Sequence, residues 1–217
     1  VIDMTKEKIF FDNSSTTRID PEVLKEMEPF LKQHYGNPSS LHDFGNEPKK
    51  AVDRARKQTA DLIGADEEEI YFTSCGTESN NLALWGLARA NRDRGNHIIS
   101  SGIEHLSILN PLKEFKKEGW KVSILPVDEY GLVDPGDVKK EITKDTVLIS
   151  IMHANNEVGT IQKIKEISDI AENNNVLFHS DGIAAAGIIP VDIGKLGVDA
   201  YSLSSQQMYG PKGAAAL

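Results

Sequence analysis

The sequence has one cysteine, few aromatic residues and no long apolar run. Cys75 stands alone among 217 residues, which excludes an internal disulfide framework, and aromatic residues make up 6%. No stretch approaches the roughly 20 apolar residues that cross a bilayer. Residues 1–11 carry charges where a signal peptide has its apolar core. We therefore expect a protein of the reducing cytoplasm with no membrane association.

Positive charge is also scarce. The formal net charge is −9, while hydrophobic residues at 39% and charged residues at 26% are ordinary for a globular protein. A uniformly acidic chain repels phosphate backbones, so we expect no nucleic-acid partner. No metal site is predicted.

Short apolar runs alternate with amphipathic stretches, which is the pattern of strands followed by helices. This predicts an α/β fold, a three-layer sandwich with a mainly parallel sheet of about seven strands. The sheet is expected to be incomplete at the C-terminus, because 213–217 resembles the start of a further strand. We divide the chain into an N-terminal segment, 1–15, and one large domain, 16–217. Predicted strands are 8–11, 70–73, 97–100, 121–127, 147–152, 176–179 and 198–203, and predicted helices are 21–31, 47–63, 77–90, 106–118, 135–142 and 161–173.

Local signals define two of these helices. Asp20 is expected to cap the first helix, and Leu24, Met27 and Leu31 are expected to form its apolar face. Gly64 stands where a helix has its C-cap glycine.

Two loops at predicted strand ends could bind a ligand, since α/β sheets bind ligands at the carboxyl ends of their strands. Small residues in 74–78, with Gly76 and Thr77 at the centre, would let backbone N–H groups approach an anion at a helix start. A helix cap at Thr77 is the commoner use of such a segment. His105, in the loop 103–105, could stack on a flat ring, or it is an ordinary polar loop residue.

Two further loops follow buried strands. Asn155 and Asn156 precede Gly159 in a segment that also fits ordinary turn chemistry. Strand alternation places His179 and Asp181 on one face. The carboxylate of Asp181 could pair with a protonated ring nitrogen, or it caps the segment that follows.

In order and spacing, these loops resemble those of cysteine desulfurases of the NifS/IscS type, which belong to the class V aminotransferase family of fold type I pyridoxal phosphate (PLP) enzymes. The resemblance covers nearly the whole chain. It implies PLP as cofactor and L-cysteine as substrate, with L-alanine and a cysteine persulfide as products for iron–sulfur or thio-cofactor assembly. It also implies the large PLP domain without the smaller C-terminal domain. The segments that carry it are 11–17, 35–42, 73–78, 103–105, 150–160 and 209–213.

The resemblance implies roles for the matching positions. His105 would stack on the pyridine ring. His105 and position 207 are the two positions that the resemblance implies to be catalytic. Asp181 would keep the ring nitrogen protonated, so that the ring can take up carbanion charge. Asn156 would lie at the phenolic oxygen side, and the phosphate would lie by Gly76, Thr77 and Ser204. Positions implied to contact the cofactor are Gly76, Thr77, His105, Asn156, Asp181, Ser204 and Gln206.

The sequence departs from the family pattern around the cofactor. Gln207 occupies the position of the Schiff-base lysine, and an amide nitrogen is neither nucleophilic nor a general base. Gln206 replaces a histidine on the phosphate side, and Ala184 replaces a glutamine beside the phenolic oxygen. Lys212 is no substitute, because the family has that lysine as well as the catalytic one. Covalent attachment of PLP is therefore not expected.

These departures lead to three hypotheses. The first is a desulfurase-type protein that is inactive in this chain, since the family's persulfide cysteine lies in a later part of the sequence and Cys75 is interpreted as a packing residue. The second is a non-catalytic subunit that forms a homodimer, pairs with a different partner or docks a sulfur-accepting scaffold. The third, less favoured, is altered chemistry on PLP held without a covalent link.

Overall fold

The computed structural model describes residues 9–217. In this part of the chain, helices cover both faces of one seven-stranded sheet. The strands are β1 (Phe72–Thr73), β2 (His97–Ser101), β3 (Lys121–Leu125), β4 (Thr146–Ser150), β5 (Leu177–Asp181), β6 (Ala200–Ser204) and β7 (Ala215–Ala216). The helices are α1 (Pro21–Lys32), α2 (Asp43–Ile63), α3 (Gly76–Ala90), α4 (Leu106–Lys117), α5 (Pro135–Glu141), α6 (Ile164–Asn173) and α7 (Ile193–Leu196).

The strand order across the sheet is β1-β7-β6-β5-β4-β2-β3. The strands from β2 to β6 pair in parallel, as helical crossovers require, whereas β7 is antiparallel to both β1 and β6. The predicted α/β fold with seven mainly parallel strands is confirmed. The last strand, β7, is inserted between β1 and β6 rather than added beyond them.

The central strands are buried because successive side chains serve two different cores. Ile99 and Ile149 face a core formed with α5 and α6, while Ile98 and Leu148 face a core formed with α3 and α4. This double burial explains why the strand sequences are apolar at consecutive positions rather than alternating.

The first helix begins as predicted, but its apolar face is not covered. Asp20 caps α1 by accepting a hydrogen bond from the backbone of Glu22 at 2.7 Å. Leu24 and Leu31 are nevertheless 50% and 69% exposed, and within residues 9–217 no side chain of α1 is fully buried. The predicted apolar face of the helix is thus left open in this part of the chain, since none of the described elements covers it. Gly64 does end α2, at a φ of 70°.

Some boundaries also differ from the sequence expectation. Of the predicted first strand, position 8 lies outside the described residues, and 9–11 are exposed and form no strand. β1 has two residues instead of four, although Tyr71 still exchanges backbone hydrogen bonds with Leu217. The helix predicted from Ile161 begins at Ile164, because Ile161 forms a β-bridge with Ala154.

Candidate active site

A cavity of about 300 Å³ lies at the carboxyl ends of β5 and β6, beside the amino end of α3. We call it the strand-end cavity. It occupies the edge of the sheet where α/β folds bind ligands. All eight predicted site residues line it: Gly76, Thr77, His105, Asn156, Asp181, Ser204, Gln206 and Gln207. The rest of the wall is formed by Ser14, Ser15, Cys75, Met152, Glu157, Ile183 and Ala184.

The amino end of α3 opens into this cavity. Gly76 is the first residue of the helix and Cys75 is its N-cap, so a cap at Thr77 is wrong. The carboxylate of Glu78 instead accepts hydrogen bonds from the backbone N–H and the hydroxyl of Ser74, at 2.7 and 2.5 Å. A side chain at position 76 would meet Cδ1 of Ile183 at 2.2 Å, so glycine keeps this backbone open to the cavity. Free N–H groups at a helix start favour an anion.

Asp181 provides a buried carboxylate on the cavity wall. Its Oδ1 accepts a hydrogen bond from the backbone of Ile183 at 3.0 Å, and its Oδ2 accepts one from Nδ2 of Asn80 at 2.7 Å. Burial raises the pKa of this carboxyl, while the bonds from Ile183 and Asn80 and the nearby His105 act to lower it. The two interpretations of Asp181 are thus compatible, since it binds the following backbone and also faces the cavity.

His105 and Asn156 approach from two other loops. His105 is the N-cap of α4, and its Nδ1 accepts a hydrogen bond from the backbone N–H of Ser107 at 3.1 Å. The same histidine lines the cavity. Asn156 donates to Oε1 of Glu157 at 2.8 Å. Asp181, His105 and Asn156 therefore present polar groups to the cavity from three different segments of the chain.

The loop that follows β6 is tied to the N-terminal part of the chain. The amide nitrogen of Gln207 donates to the backbone oxygen of Ser14 at 2.9 Å. Thr17 donates its backbone N–H to the oxygen of Gln206 at 2.9 Å, and Lys212 donates its Nζ to the oxygen of Thr17 at 3.2 Å. The side chain of Gln207 thus lines the cavity and is held by the hydrogen bond that its uncharged amide donates to Ser14.

Several residues that form or support the cavity were not predicted from the sequence. Cys75, expected to be a packing residue, is exposed at the N-cap of α3. Ser14 and Ser15 join the cavity wall from a distant part of the chain. Asn80, which holds Asp181, lies four residues after Gly76, and this helical spacing was the available signal.

The matches to known proteins span almost all of this chain. The profile of the family described as "Aminotransferase class-V" matches residues 9–217. The chain belongs to the class-V aminotransferase family. Proteins named cysteine desulfurase IscS from Methanosarcina thermophila and Dictyoglomus turgidum are each 50% identical to it, over 96% and 98% of this chain and 52% and 54% of theirs. The chain therefore spans about half the length of these relatives.

Solved structures agree with the sequence relatives. A NifS-like protein superposes with a TM-score of 0.94 at 40% identity, covering 97% of this chain and 58% of the other. A NifS-like protein from Rickettsia africae gives a TM-score of 0.86 at 33% identity, over 97% and 57% of the two chains. Members of this family are PLP-dependent, which makes PLP the ligand to test against the cavity.

The cavity offers a suitable partner to each polar end of PLP, the phosphate and the ring nitrogen. The open backbone at Gly76 suits a phosphate, and the buried carboxylate of Asp181 suits a protonated ring nitrogen. Gln207, which stands where the resemblance implies a lysine, also lines the cavity, and its amide offers no amine for a covalent link.

Two other kinds of site are not found in the part of the chain that the structure describes. Within residues 9–217 there is no helix long and apolar enough to span a membrane. The same residues contain no group of three or more His, Cys, Asp or Glu side chains placed to hold a metal ion.

Proposed function

We propose that this chain binds PLP reversibly in the strand-end cavity and does not, by itself, release sulfur from L-cysteine. The amino end of α3 and Ser204 would receive the phosphate, and Asp181 would keep the ring nitrogen protonated. His105 would cover one face of the ring. PLP supplies an electron sink for charge that develops at a substrate carbon.

The observation that carries the proposal is the position of Gln207. Its amide nitrogen reaches the oxygen of Ser14 from the cavity wall, and the resemblance implies the Schiff-base lysine at this position. An amide neither attacks an aldehyde nor accepts a proton near neutral pH. The residues that would hold the ring and the phosphate do not depend on that link.

The proposal is tested with PLP itself. The wild-type protein should bind PLP and lose it on dialysis, and borohydride treatment should leave no adduct on residue 207. The variant Gln207→Lys should gain a borohydride-stable adduct at that residue, located by mass spectrometry of the modified peptide. The variant Gln207→Arg is the matched control, because it adds a long cation that cannot form the link.

Two results would count against this assignment. One is an adduct on Lys212 rather than on residue 207 of the Gln207→Lys variant, which would place the cofactor elsewhere. The other is an unmodified Gln207→Lys protein at saturating PLP, which would mean that the cavity does not take up PLP. Sulfide or alanine release from L-cysteine by the purified wild-type chain would refute the loss of activity. L-Cysteine is the test substrate because a solved structure described as "SspA in complex with cysteine" is 35% identical to this chain.

A second candidate is a non-catalytic subunit of a larger assembly, either a homodimer, a heteromeric complex or a complex with a sulfur-accepting scaffold. A mainly apolar groove of about 780 Å³ between α1 and α2 favours it, because Leu31 and Tyr35 on its wall are 69% and 73% exposed. Exposed apolar surface of this kind is typical of interaction sites. Sedimentation of the purified chain as a monomer at all concentrations would argue against self-association.

A further inference from the structure

Two polar groups of the strand-end cavity, the carboxylate of Asp181 and the imidazole of His105, are joined by a chain of hydrogen bonds, which we call the relay. Nδ2 of Asn80 donates to Oδ2 of Asp181 at 2.7 Å and to Oγ of Ser107 at 2.8 Å. Oγ of Ser107 in turn lies 2.7 Å from Nδ1 of His105. Asn80, Ser107 and Asp181 are 0%, 6% and 4% exposed, so water does not compete for the two bonds of the Asn80 amide, whereas the ring of His105 at the other end is exposed. The carboxylate and the imidazole of the cavity are thus linked through α3 and the first turn of α4.

The direction of each hydrogen bond in the relay is fixed by its neighbours. Both amide hydrogens of Asn80 are used, and its Oδ1 has no hydrogen-bond partner among residues 9–217. Turning the amide over would place that oxygen 2.7 Å from a carboxylate oxygen of Asp181, which is repulsive. The amide therefore keeps a buried oxygen without a partner in order to donate to both Asp181 and Ser107.

The hydrogen-bonding role of Nδ1 of His105 is fixed in the same way. Since Oγ of Ser107 accepts from Asn80, its own hydrogen is free to point at Nδ1 of His105. The backbone N–H of Ser107 also donates to that nitrogen at 3.1 Å. Nδ1 is therefore an acceptor, and the neutral ring carries its hydrogen on Nε2.

We propose that Asn80 and Ser107 are positioning residues whose hydrogen bonds fix both the carboxylate of Asp181 and the tautomer of His105 for a phosphorylated pyridine ring. The inference deepens the proposed binding of PLP and rests on it. Neither residue touches the ligand, because neither lines the cavity. Each acts through a residue that does line the cavity, Asp181 or His105. A substitution next to one of these two residues should therefore alter the state of the other.

The first test needs no ligand. In nitrogen-15 and carbon-13 NMR spectra of the wild-type chain, His105 should show a single tautomer with a hydrogen on Nε2. The variant Asn80→Ala does not alter a contact of His105 but frees Oγ of Ser107 to accept a hydrogen bond from Nδ1. It should therefore raise the fraction with hydrogen on Nδ1 by about fivefold, a change of the size of one neutral hydrogen bond. Ser107→Ala should shift the side-chain carboxyl signal of Asp181, which it does not contact. The variants His105→Gln and Asp181→Asn assign the two signals.

Ser100→Ala is the matched control. Ser100 is buried and donates one hydrogen bond to the oxygen of Ser150 at 2.8 Å, outside the relay that joins Asp181 to His105. It should leave both NMR signals unchanged. If Asn80→Ala does not fold, Ser107→Ala alone decides, since alanine is well tolerated in a helix.

The second test uses two probes, PLP and inorganic phosphate. Asn80→Ala and Ser107→Ala should each weaken PLP binding by about tenfold. They should leave the competition by inorganic phosphate unchanged, because the relay serves the ring end of the cavity. Equal losses for PLP and phosphate would indicate a general structural defect and overturn the inference.

The two tests separate this inference from the proposed function. If the wild-type chain binds no PLP, the proposed function fails, and the role of the relay in ring binding fails with it, whatever the NMR signals show. If PLP binds but neither variant changes the distant NMR signal, the relay is refuted while the proposed function stands. Both long-range shifts together with selective loss of PLP affinity support the relay.

Discussion

We expect the substitution Glu104→Gln to change how folding stability depends on pH. Glu104 lies between β2 and α4 and is 5% exposed. Its Oε1 accepts hydrogen bonds from Oγ of Ser101 at 2.5 Å and from the backbone of Met152 at 3.0 Å, while Oε2 has no partner within the described 9–217 range. Burial raises the pKa of this carboxyl from an ordinary 4.5 to about 8, and the charge of Asp181 acts in the same direction.

The sign of the effect follows from proton binding. Between pH 4.5 and about 8, the folded chain keeps a proton on Glu104 that the unfolded chain has lost. Its contribution to stability is therefore fully present below pH 4.5 and is lost as the pH rises to about 8. Each pH unit between the ordinary and the folded pKa is worth about 1.4 kcal/mol, so the loss amounts to at most roughly 5 kcal/mol of unfolding free energy.

The assay is urea unfolding of both proteins at several pH values from 5 to 8.5. Glutamine keeps an oxygen for the two bonds but has no partner for its amide nitrogen, which should cost about 1–3 kcal/mol at every pH. The variant should therefore be less stable near pH 5 and should equal or exceed the wild type near pH 8.5. Burial lowers the pKa of His179 to about 3, so this histidine adds the same pH dependence to both proteins and cancels in the comparison. A difference in unfolding free energy that stays constant over this range would refute the reasoning.

Three other substitutions follow from the structure. Gly76→Ala should weaken PLP binding about tenfold in an equilibrium titration, because the new Cβ would push Ile183 into the cavity. Gly86→Ala, in the same helix with open space around it, should leave binding unchanged and stabilise the fold by about 0.5–1 kcal/mol in urea unfolding. His179→Leu should cost about 2–4 kcal/mol in the same assay, since it removes a buried imidazole that bridges two serine hydroxyls at 2.9 Å each.

The fold was predictable because buried parallel strands leave a strong mark on the sequence. Every position of β4 is buried, so its apolar residues follow one another without alternation. The apolar face of α1 was predicted from the same kind of pattern, but Leu24 and Leu31 remain exposed. Periodicity shows which face of a helix is apolar, whereas the element that covers it depends on tertiary packing.

The positions of the cavity residues were predictable, while the bonds that hold them were not. His105 follows β2 and Asp181 is the last residue of β5, and the carboxyl ends of parallel strands meet at one edge of the sheet. The contact from Asn80 to Asp181 joins residues 101 positions apart, and its contact to Ser107 spans 27 positions. Such pairings arise only when α3 and α4 pack against the sheet, so no local sequence pattern predicts them.

The residues that resemble a PLP site differ in how strongly they point to a ligand. His105 caps α4 and Asp181 binds the backbone of Ile183, so both also serve folding. Asn80 and Glu104 each bury an oxygen that has no partner among residues 9–217, and folding alone gains nothing from that. A buried polar group without a partner costs free energy and calls for an explanation, and holding a neighbouring side chain of a site in place is one such explanation. The oxygen that Asn80 leaves without a partner while its amide holds Asp181 therefore supports the proposed binding site more strongly than the capping roles of His105 and Asp181 do.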